Sequence, residues 1–346
     1  MDKAEKLFRN RVIWMQFLLC LLVIWVHSYN MDIFKPVKLG GFVGGLESFI
    51  SDSLGQTAVP GFFMISAFLF YRKFDWDQLL RKWKSRFHTL VIPYMVWNLI
   101  YYIAYFFMTN TPAVHEQLHR SKVQLNLSEL FFAIVYFRYN SVFWFMFQLI
   151  LLVMLAPAVY GLLRRKRVGA GVLALVFLCL MFRVELPFLN MDALMYYLIG
   201  AFAALHGEKL VTAVWKKPMA AAFGAALLVS YCIHLWAGWT ECVQLLLLYR
   251  IAFPICLWFF LGCFRLPPAK DWMKHTFFVY ATHFLIIRAM NKLGGLAFPN
   301  SAPWALAFYL LGPVLVFAVS KAAATLGKRL PGLWRLLGGG RVKNGQ

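Results

Sequence analysis

The sequence predicts an all-α polytopic membrane protein with about ten transmembrane helices and both termini in the cytoplasm. Of its 346 residues, 62% are hydrophobic and only 14% are charged, and the mean hydropathy is +0.66. A soluble domain is nearer half apolar and about a quarter charged. No single soluble core could bury this much apolar surface, so lipid is the expected solvent.

Apolar segments of spanning length recur along the chain. A spanning helix needs about 20 mostly apolar residues, within a range of about 17–25. The first segment follows basic residues, as a signal peptide would, but no small-residue cleavage site follows it, so we expect a retained helix. The ten candidate segments are 12–29, 55–71, 88–108, 141–163, 168–183, 191–206, 218–236, 244–264, 276–292 and 302–323.

Lys and Arg are distributed unevenly between alternate loops. One set of loops, which includes the N-terminus and the tail after residue 323, holds 25 of them, whereas the other set holds 5. Because cytoplasmic loops are enriched in Lys and Arg, this asymmetry puts both termini in the cytoplasm and favours an even number of spans. We therefore predict a transmembrane domain over 1–326 and a basic, partly disordered cytoplasmic tail over 327–346.

The longest predicted outside loop, 109–140, is not uniformly polar. Its residues from Leu130 to Phe137 form an apolar run. This run is too short to cross a bilayer, so we expect an interfacial or re-entrant segment there.

The charge and cysteine patterns argue against several functions. The net charge of +21 comes from short basic clusters between apolar runs. This pattern is typical of loops beside anionic lipid, so membrane lipids are expected partners and nucleic acid is not. The six cysteines lie mostly within apolar runs and form no CxxC pair, so we expect buried side chains and no metal site.

Ionisable residues inside apolar segments are candidate functional residues because charge within a bilayer is costly. His27, near the outer end of the first segment, could accept a proton from a hydroxyl, or it could touch lipid headgroups at the interface. His283 lies in mid-segment and is either functional or satisfied by a neighbouring backbone or hydroxyl group. Arg288 lies five residues further and could extend to the interface.

Two basic features are candidates for binding. Arg250 lies deeper in its segment than a loop residue would, and it could pair with Glu241 or Glu185 or bind an anionic acceptor. The run Arg81-Lys82-Trp83-Lys84-Ser85-Arg86 precedes the third segment. The positive-inside rule alone explains this run, but it could also bind the phosphates of a coenzyme.

Six segments, in this order, resemble motifs of the bacterial acyltransferase 3 family of membrane proteins. Each motif is short, but the ordered set is fairly specific and covers nearly the whole chain. The segments are Val26-His27-Ser28, Val59–Leu69 (VPGFFMISAFL), Arg86 with Ile92–Trp97 (IPYMVW), Phe143–Met146 (FWFM) with Pro157, Tyr197–Ala201 (YLIGA) and Phe278–His283 (FVYATH).

The resemblance implies about ten spans in the bacterial cytoplasmic membrane, an acyl-CoA donor on the inside and a sugar hydroxyl as acceptor. Expected acceptors are polysaccharides, lipid-linked glycans or peptidoglycan, and we expect the acyl group to be acetyl. His27 would be the catalytic general base, and the basic run ending at Arg86 would help to hold the donor. Further candidates for donor or acceptor binding are Gln16, Ser66, Trp144, Arg250 and His283.

Two positions depart from the family pattern. Many members have an arginine eleven residues before the histidine, preceded by an aspartate, where this chain has Gln16 and Ile13. The Ser-Gly of the second-helix motif is Ser66-Ala67 here. These differences leave open a divergent mechanism or an inactive family member. The competing class is a transporter or flippase for a polysaccharide precursor, whose inverted repeats and broken helices do not stand out in the sequence.

Overall fold

A computed structural model describes residues 3–34, 41–112 and 121–339. These residues are mainly helical, and none of them forms a strand. The described α-helices are α1 (Lys3–Ser28), α2 (Phe42–Ser48), α3 (Ala58–Tyr71), α4 (Leu79–Arg86), α5 (Ile92–Asn110), α6 (Leu127–Val135), α7 (Trp144–Met154), α8 (Ala156–Leu163), α9 (Lys166–Met181), α10 (Met191–His206), α11 (Glu208–Thr212), α12 (Met219–Thr240), α13 (Val243–Gly262), α14 (Thr276–Ala297), α15 (Ala302–Gly327) and α16 (Pro331–Leu337).

The helices confirm an all-α membrane protein with several spans. Within the described ranges, six helical stretches are long and apolar enough to cross a membrane, or seven if Ser141–Met154 and Ala156–Leu163 form one span. Nine of the ten predicted segments fall, to within two residues, on one continuous helical stretch each, whereas 141–163 is divided between α7 and α8 at Leu155. The number ten and the cytoplasmic location of both termini remain predictions. The six stretches are Lys3–Ser28, Phe42–Tyr71, Trp76–Asn110, Met219–Thr240, Val243–Gly262 and Ala302–Gly327.

The second helical stretch begins earlier than the sequence predicts. It was expected from residue 55, but α2 continues through a π-helical turn, Phe49–Ser53, and a 3-10 turn, Leu54–Thr57, into α3. Some of the polar residues that suggest a loop in the sequence are instead buried and hydrogen-bonded. Glu47 and Ser51 are the main examples.

The described residues divide into two compact units. The first unit comprises the described parts of Met1–Asp75 and Ala156–Ala322. Helix α1 is central in it and packs against α3, α13 and α14. Helices α3 and α10 approach so closely that a Cβ atom on Gly200 would overlap the main-chain carbonyl of Met64. The Tyr197–Ala201 motif therefore has glycine at this position because no residue with a Cβ atom would fit.

A buried cation fixes the first half of α1. Arg11 is almost fully buried, and its Nη2 atom donates to the main-chain oxygens of Val211, Thr212 and Ala213 at 3.3, 3.2 and 2.9 Å. Its guanidinium also lies 4.5 Å from the centroid of the Trp258 ring. Arg11 therefore satisfies carbonyl groups at the C-terminal end of α11, which have no partner within that helix.

The second unit comprises the described parts of Trp76–Leu155 and Ala323–Gln346. Helix α6 corresponds to the predicted interfacial segment, and its nine residues are too few to span a bilayer. Side chains of α5 satisfy its C-terminal carbonyls. The Tyr94 hydroxyl donates to the Val135 oxygen at 2.8 Å, and the Asn98 amide donates to the Ile134 oxygen at 3.1 Å.

The predicted tail is more ordered than the sequence suggests. Helix α16 packs against α5, where the Trp97 indole donates to the Leu337 oxygen at 3.0 Å. Trp334 is buried, which provides the apolar contact that a disordered tail would lack. The prediction of disorder for residues 340–346 lies outside the described residues.

Candidate active site

Two imidazole rings lie side by side in the first unit. His27 is on the last turn of α1, and His283 is the eighth residue of α14. Their ring centroids are 5.1 Å apart, with an interplanar angle of 47°. Both residues are candidates from the sequence, where more than 250 positions separate them. The packing of α1 against α14 brings them together.

The hydrogen bond of His283 fixes which nitrogen carries its proton. Its Nδ1 atom lies 2.7 Å from the main-chain oxygen of Tyr280. A carbonyl oxygen only accepts, so Nδ1 is the protonated nitrogen and Nε2 keeps a lone pair. His283 is 0% exposed, and its Nε2 atom has no hydrogen-bond partner among the described residues. The main-chain hydrogen-bond partner expected for a core histidine is present, but it satisfies only one of the two ring nitrogens.

His27 has a different environment from His283. It is half-buried, and none of the described residues forms a hydrogen bond with it. The Phe284 ring packs edge-on at 5.2 Å from its centroid. The exposed guanidinium of Arg288 lies 5.1 Å from the centroid of that same Phe284 ring. The imidazole of His27 is therefore held by ring contacts, and its nitrogens remain available to a substrate.

The last turn of α1 is held by side chains from two other elements. The last four carbonyls of a helix have no partner within it. Ser51 in the π-helical turn donates to the Trp25 oxygen at 2.9 Å, and Asn291 in α14 donates to the Ser28 oxygen at 3.0 Å. These two hydrogen bonds flank His27 in the sequence. They fix the backbone that carries the imidazole.

The residues that hold this turn were missed in the sequence analysis. Ser51 lies in a stretch that the hydropathy pattern assigns to a loop, and Asn291 lies at the edge of a predicted span. The available signal for Asn291 is its spacing of eight residues from His283, which puts both on one face of α14. For Ser51, no local pattern in the sequence indicates its contact with α1.

The 3-10 turn packs directly against α1 beside His27. A Cβ atom on Gly55 would overlap the side chain of Val26. The next residue, Gln56, accepts from Nε and Nη2 of Arg250 at 3.0 and 2.7 Å. Of the two alternatives for Arg250, a pair with Glu241 or Glu185 is not among the described ion pairs, and the amide oxygen of Gln56 takes that place. Binding of an anionic acceptor by Arg250 stays a prediction.

An apolar cavity of about 410 Å³ lies between α1, α3, α10 and α13 in the first unit. On α1 it is lined by Phe8, Val12 and Met15, whereas the polar side chains in its wall include Lys166 and His206. Twelve residues separate Met15 from His27, which is about 18 Å along a helix. The cavity therefore lies toward the other end of α1 from the histidine pair.

Gln16 and Ser66 lie beside the cavity and not at the histidine pair. Gln16 is buried on α1, next to Met15, and Ser66 is half-buried on α3, next to the cavity residue Ile65. Neither forms a hydrogen bond with another described side chain. The structure thus separates both predicted binding residues from His27, and it leaves Gln16 about 16 Å along the helix from it.

Arg86 and Trp144, the remaining candidates, belong to the second unit. Arg86 ends α4, so the basic run that it closes is helical, with Arg81 and Lys84 exposed. Trp144 begins α7 and is 38% exposed. Within the described ranges, no group of three or more His, Cys, Asp or Glu residues could hold a metal ion.

The helices define a polytopic membrane protein, and the contact between the half-buried His27 and the buried His283 is its candidate site for proton transfer. A family model described as an acyltransferase domain, Acyl_transf_3, matches residues 9–322. The match covers nearly the whole chain and includes most of α1, all of α14 and both histidines. The chain therefore belongs to this acyltransferase family, as the sequence motifs suggest. No curated protein and no solved structure matches it.

Proposed function

We propose that the protein transfers an acyl group from acyl-CoA to a hydroxyl group of a carbohydrate in the bacterial cell envelope. The observation that carries this proposal is the contact between His27 and His283, in which one nitrogen lone pair is buried without a partner. Acyl transfer to an alcohol needs a base at the reacting hydroxyl. Membership of the acyltransferase family supports the same reaction class.

The proposed reaction needs one proton acceptor and no resident cofactor. His27 takes the proton of the acceptor hydroxyl as its oxygen attacks the thioester carbonyl carbon. The tetrahedral intermediate then collapses, the carbon–sulfur bond breaks, and the proton is returned to the CoA thiolate. The products are the acyl ester and free CoA. His283, with its proton fixed on Nδ1, orients His27 and stabilises the imidazolium through its free Nε2 atom.

Two features support a CoA thioester as the donor. The cavity beside α1 is lined mainly by apolar side chains, and Lys166 in its wall lies within a basic run that includes Arg164, Arg165 and Arg167. An apolar cavity with a lysine of a basic run in its wall suits an extended acyl-thioester arm that ends in phosphates. We propose acetyl as the acyl group. The basic helix that ends at Arg86, in the second unit, is a separate candidate for binding the donor phosphates.

The competing function is transport of a polysaccharide precursor. A third alternative, an inactive member of the family, draws its support from Gln16, which replaces the usual arginine. The half-buried, unpartnered imidazole of His27 favours the enzyme, because an inactive relative has no need for such a costly group within a span.

Glycan analysis with and without the gene separates these functions. Mass spectrometry of envelope glycans from a deletion strain should show normal export and loss of acetyl esters. Complementation with the wild-type gene should restore the esters. Glycan that accumulates inside the cell would instead identify a transporter. Unchanged acetyl content with normal export would identify an inactive member and overturn the proposal.

A further inference from the structure

A buried carboxyl group lies beside the turn that carries His27. Glu47, in α2, is 0% exposed, and none of the described ion pairs includes it. Its Oε2 atom accepts from the main-chain N–H of Asn30 at 3.2 Å, and the N–H of Met31 also faces the carboxyl. Its Oε1 atom has no hydrogen-bond partner among the described residues.

The side chain of Asn30 presents a second buried acceptor. Its Nδ2 atom donates to Oδ1 of Asn291 at 3.4 Å and to the Ala305 oxygen at 3.0 Å, so both amide hydrogens are used. Its Oδ1 atom is buried and has no partner among the described residues. Two neighbouring residues thus each hold one unsatisfied acceptor, and no described group donates to either.

The surroundings of Glu47 disfavour a negative charge. Asp32 lies close enough to repel it, and Asp52 in the π-helical turn adds a second carboxyl to the same region. The hydroxyl of Tyr309 lies 3.5 Å from the main-chain oxygen of Glu47, and α14 contributes the neutral Asn291. A buried anion in a spanning helix is costly where none of the described cations pairs with it, although two main-chain N–H groups offset part of that cost.

We propose that Glu47 binds a proton on Oε1 and donates it to Oδ1 of Asn30, which makes Glu47 a positioning residue for His27. A neutral carboxylic acid supplies the one donor that is lacking, so a single proton satisfies both orphan oxygens. The main-chain hydrogen bonds to Oε2 are unaffected, because the carbonyl oxygen of the acid still accepts them.

A series of hydrogen bonds connects Glu47 to the helices that carry the histidine pair. Glu47 orients Asn30, and the Asn30 amide holds the carbonyl of Asn291. Asn291 in turn donates to the Ser28 oxygen, which joins α14 to the last turn of α1. His27 and His283 lie on the two helices that this bond connects. The role for His27 rests on the proposed function, whereas the protonation of Glu47 does not.

Infrared spectroscopy tests the protonation without any activity assay. The probe is the carbonyl stretch of a protonated carboxylic acid, recorded at neutral pH in a detergent that contains no ester. The difference spectrum between the wild type and Glu47→Gln should contain this band. The matched control is Asp52→Asn, because Asp52 lies in the same region but is exposed and accepts from Ser48. Its difference spectrum should lack the band.

Two variants test the positioning role. Glutamine can accept from the Asn30 N–H and donate to Asn30 Oδ1, so Glu47→Gln should keep kcat close to the wild-type value. Glu47→Ala removes the donor and should lower kcat by about tenfold to a hundredfold. Asp52→Asn should have wild-type kcat. If Glu47→Ala does not fold, the glutamine variant and the infrared band still decide the question.

Three outcomes would overturn the inference. One is a carboxylate band in place of the acid band at Glu47. Another is a kcat for Glu47→Gln as low as that of the alanine variant, which would show that the charge is needed. The third is a dependence of the band on added Na⁺, which would identify a metal cation as the ligand. A wild-type protein without acyl transfer would refute the proposed function while the infrared result still stood.

Discussion

Nε2 of His283 keeps a buried lone pair because Nδ1 of the same ring donates to the Tyr280 oxygen, and the ring centroid lies 5.1 Å from that of His27. Two imidazoles in contact share one electrostatic environment, so the protonation of one ring is coupled to that of the other. This arrangement assigns different roles to the two residues. In the proposed reaction, the half-buried His27 accepts the proton of the substrate hydroxyl, and the fully buried His283 orients the His27 ring.

Substitution of His283 tests that division of roles. Asparagine at this position can still donate to the Tyr280 oxygen, but it lacks Nε2. We expect His283→Asn to lower kcat by about tenfold to a hundredfold and to leave the KM for acyl-CoA unchanged. Steady-state kinetics measure both constants.

The control for His283 is His88→Asn. His88 is exposed in the second unit, and its Nδ1 atom likewise lies 2.8 Å from a main-chain oxygen, that of Lys84. This variant should behave as the wild type. An unchanged kcat in His283→Asn would show that Nε2 has no part in the reaction.

A paired glycine test addresses the position of the last turn of α1. Gly55→Ala would bring a Cβ atom into the side chain of Val26, so the turn that carries His27 must move. A displacement of about 1 Å can cost about a hundredfold in rate, and overpacking costs about 1–3 kcal/mol of stability. We expect both kcat and Tm to fall. Gly45→Ala is the matched control, because its Cβ atom would meet nothing within 4 Å. Equal kcat values for the two variants would contradict the packing argument.

Filling the apolar cavity should weaken donor binding. Ile199→Trp places a large ring in the cavity between α1, α3 and α10. Since the cavity lies toward the other end of α1 from the histidines, we expect a higher KM for acyl-CoA and a smaller change in kcat. Leu175→Phe adds an aromatic ring at an exposed position of α9 and is the control. A KM that stays at the wild-type value, in a variant with normal Tm, would remove the donor from this cavity.

The stability of the second unit should depend on pH through the hydroxyl group of Tyr139. The Tyr139 hydroxyl donates to Oε2 of Glu129 at 2.6 Å, and burial together with this hydrogen bond raises the pKa of Tyr139 to about 12. The unfolded value is about 10. Because the folded pKa is the higher one, the stabilisation is complete below pH ~10 and is lost as the pH rises through about 12.

Spectrophotometric titration of tyrosine and denaturation at several pH values check this prediction. Tyr139→Phe should lose about 1 kcal/mol at neutral pH, a figure reduced for solvent exposure. It should also lose the phenol that titrates near pH 12. Equal stability of the variant and the wild type at neutral pH would show that the hydrogen bond contributes nothing.

The membrane class and the helices follow from the sequence because hydropathy acts over many residues at once. All but one of the predicted spans fall on a single helical stretch, and His27 and His283, both candidates from the sequence, lie in contact. Ionisable groups within apolar runs are rare, so they can be recognised from the sequence alone as candidate functional residues. The extension of the second stretch back to Phe42 was not predictable in this way. Its polar composition is typical of a loop, and the burial of some of these residues depends on tertiary contacts.

The partners of individual side chains depend on tertiary contacts that no local pattern contains. Arg250 meets Gln56 and not an acidic residue, because the 3-10 turn lies between α1 and α13. Gln16 occupies a motif position eleven residues before His27, yet a straight helix keeps the two apart. Helix α16 depends on the burial of Trp334, which a composition of glycine and basic residues does not reveal.

Acyl transfer by the purified protein tests the central claim most directly. Wild-type protein, radiolabelled acetyl-CoA and membranes from a deletion strain, which contain the unmodified glycans, should give a labelled glycan. His27→Ala should lower the rate by about 10²–10⁴-fold, the usual contribution of a general base, whereas His88→Ala should leave it unchanged. Labelling by His27→Ala at the wild-type rate would contradict the account, because the reaction would then proceed without the imidazole on which it depends.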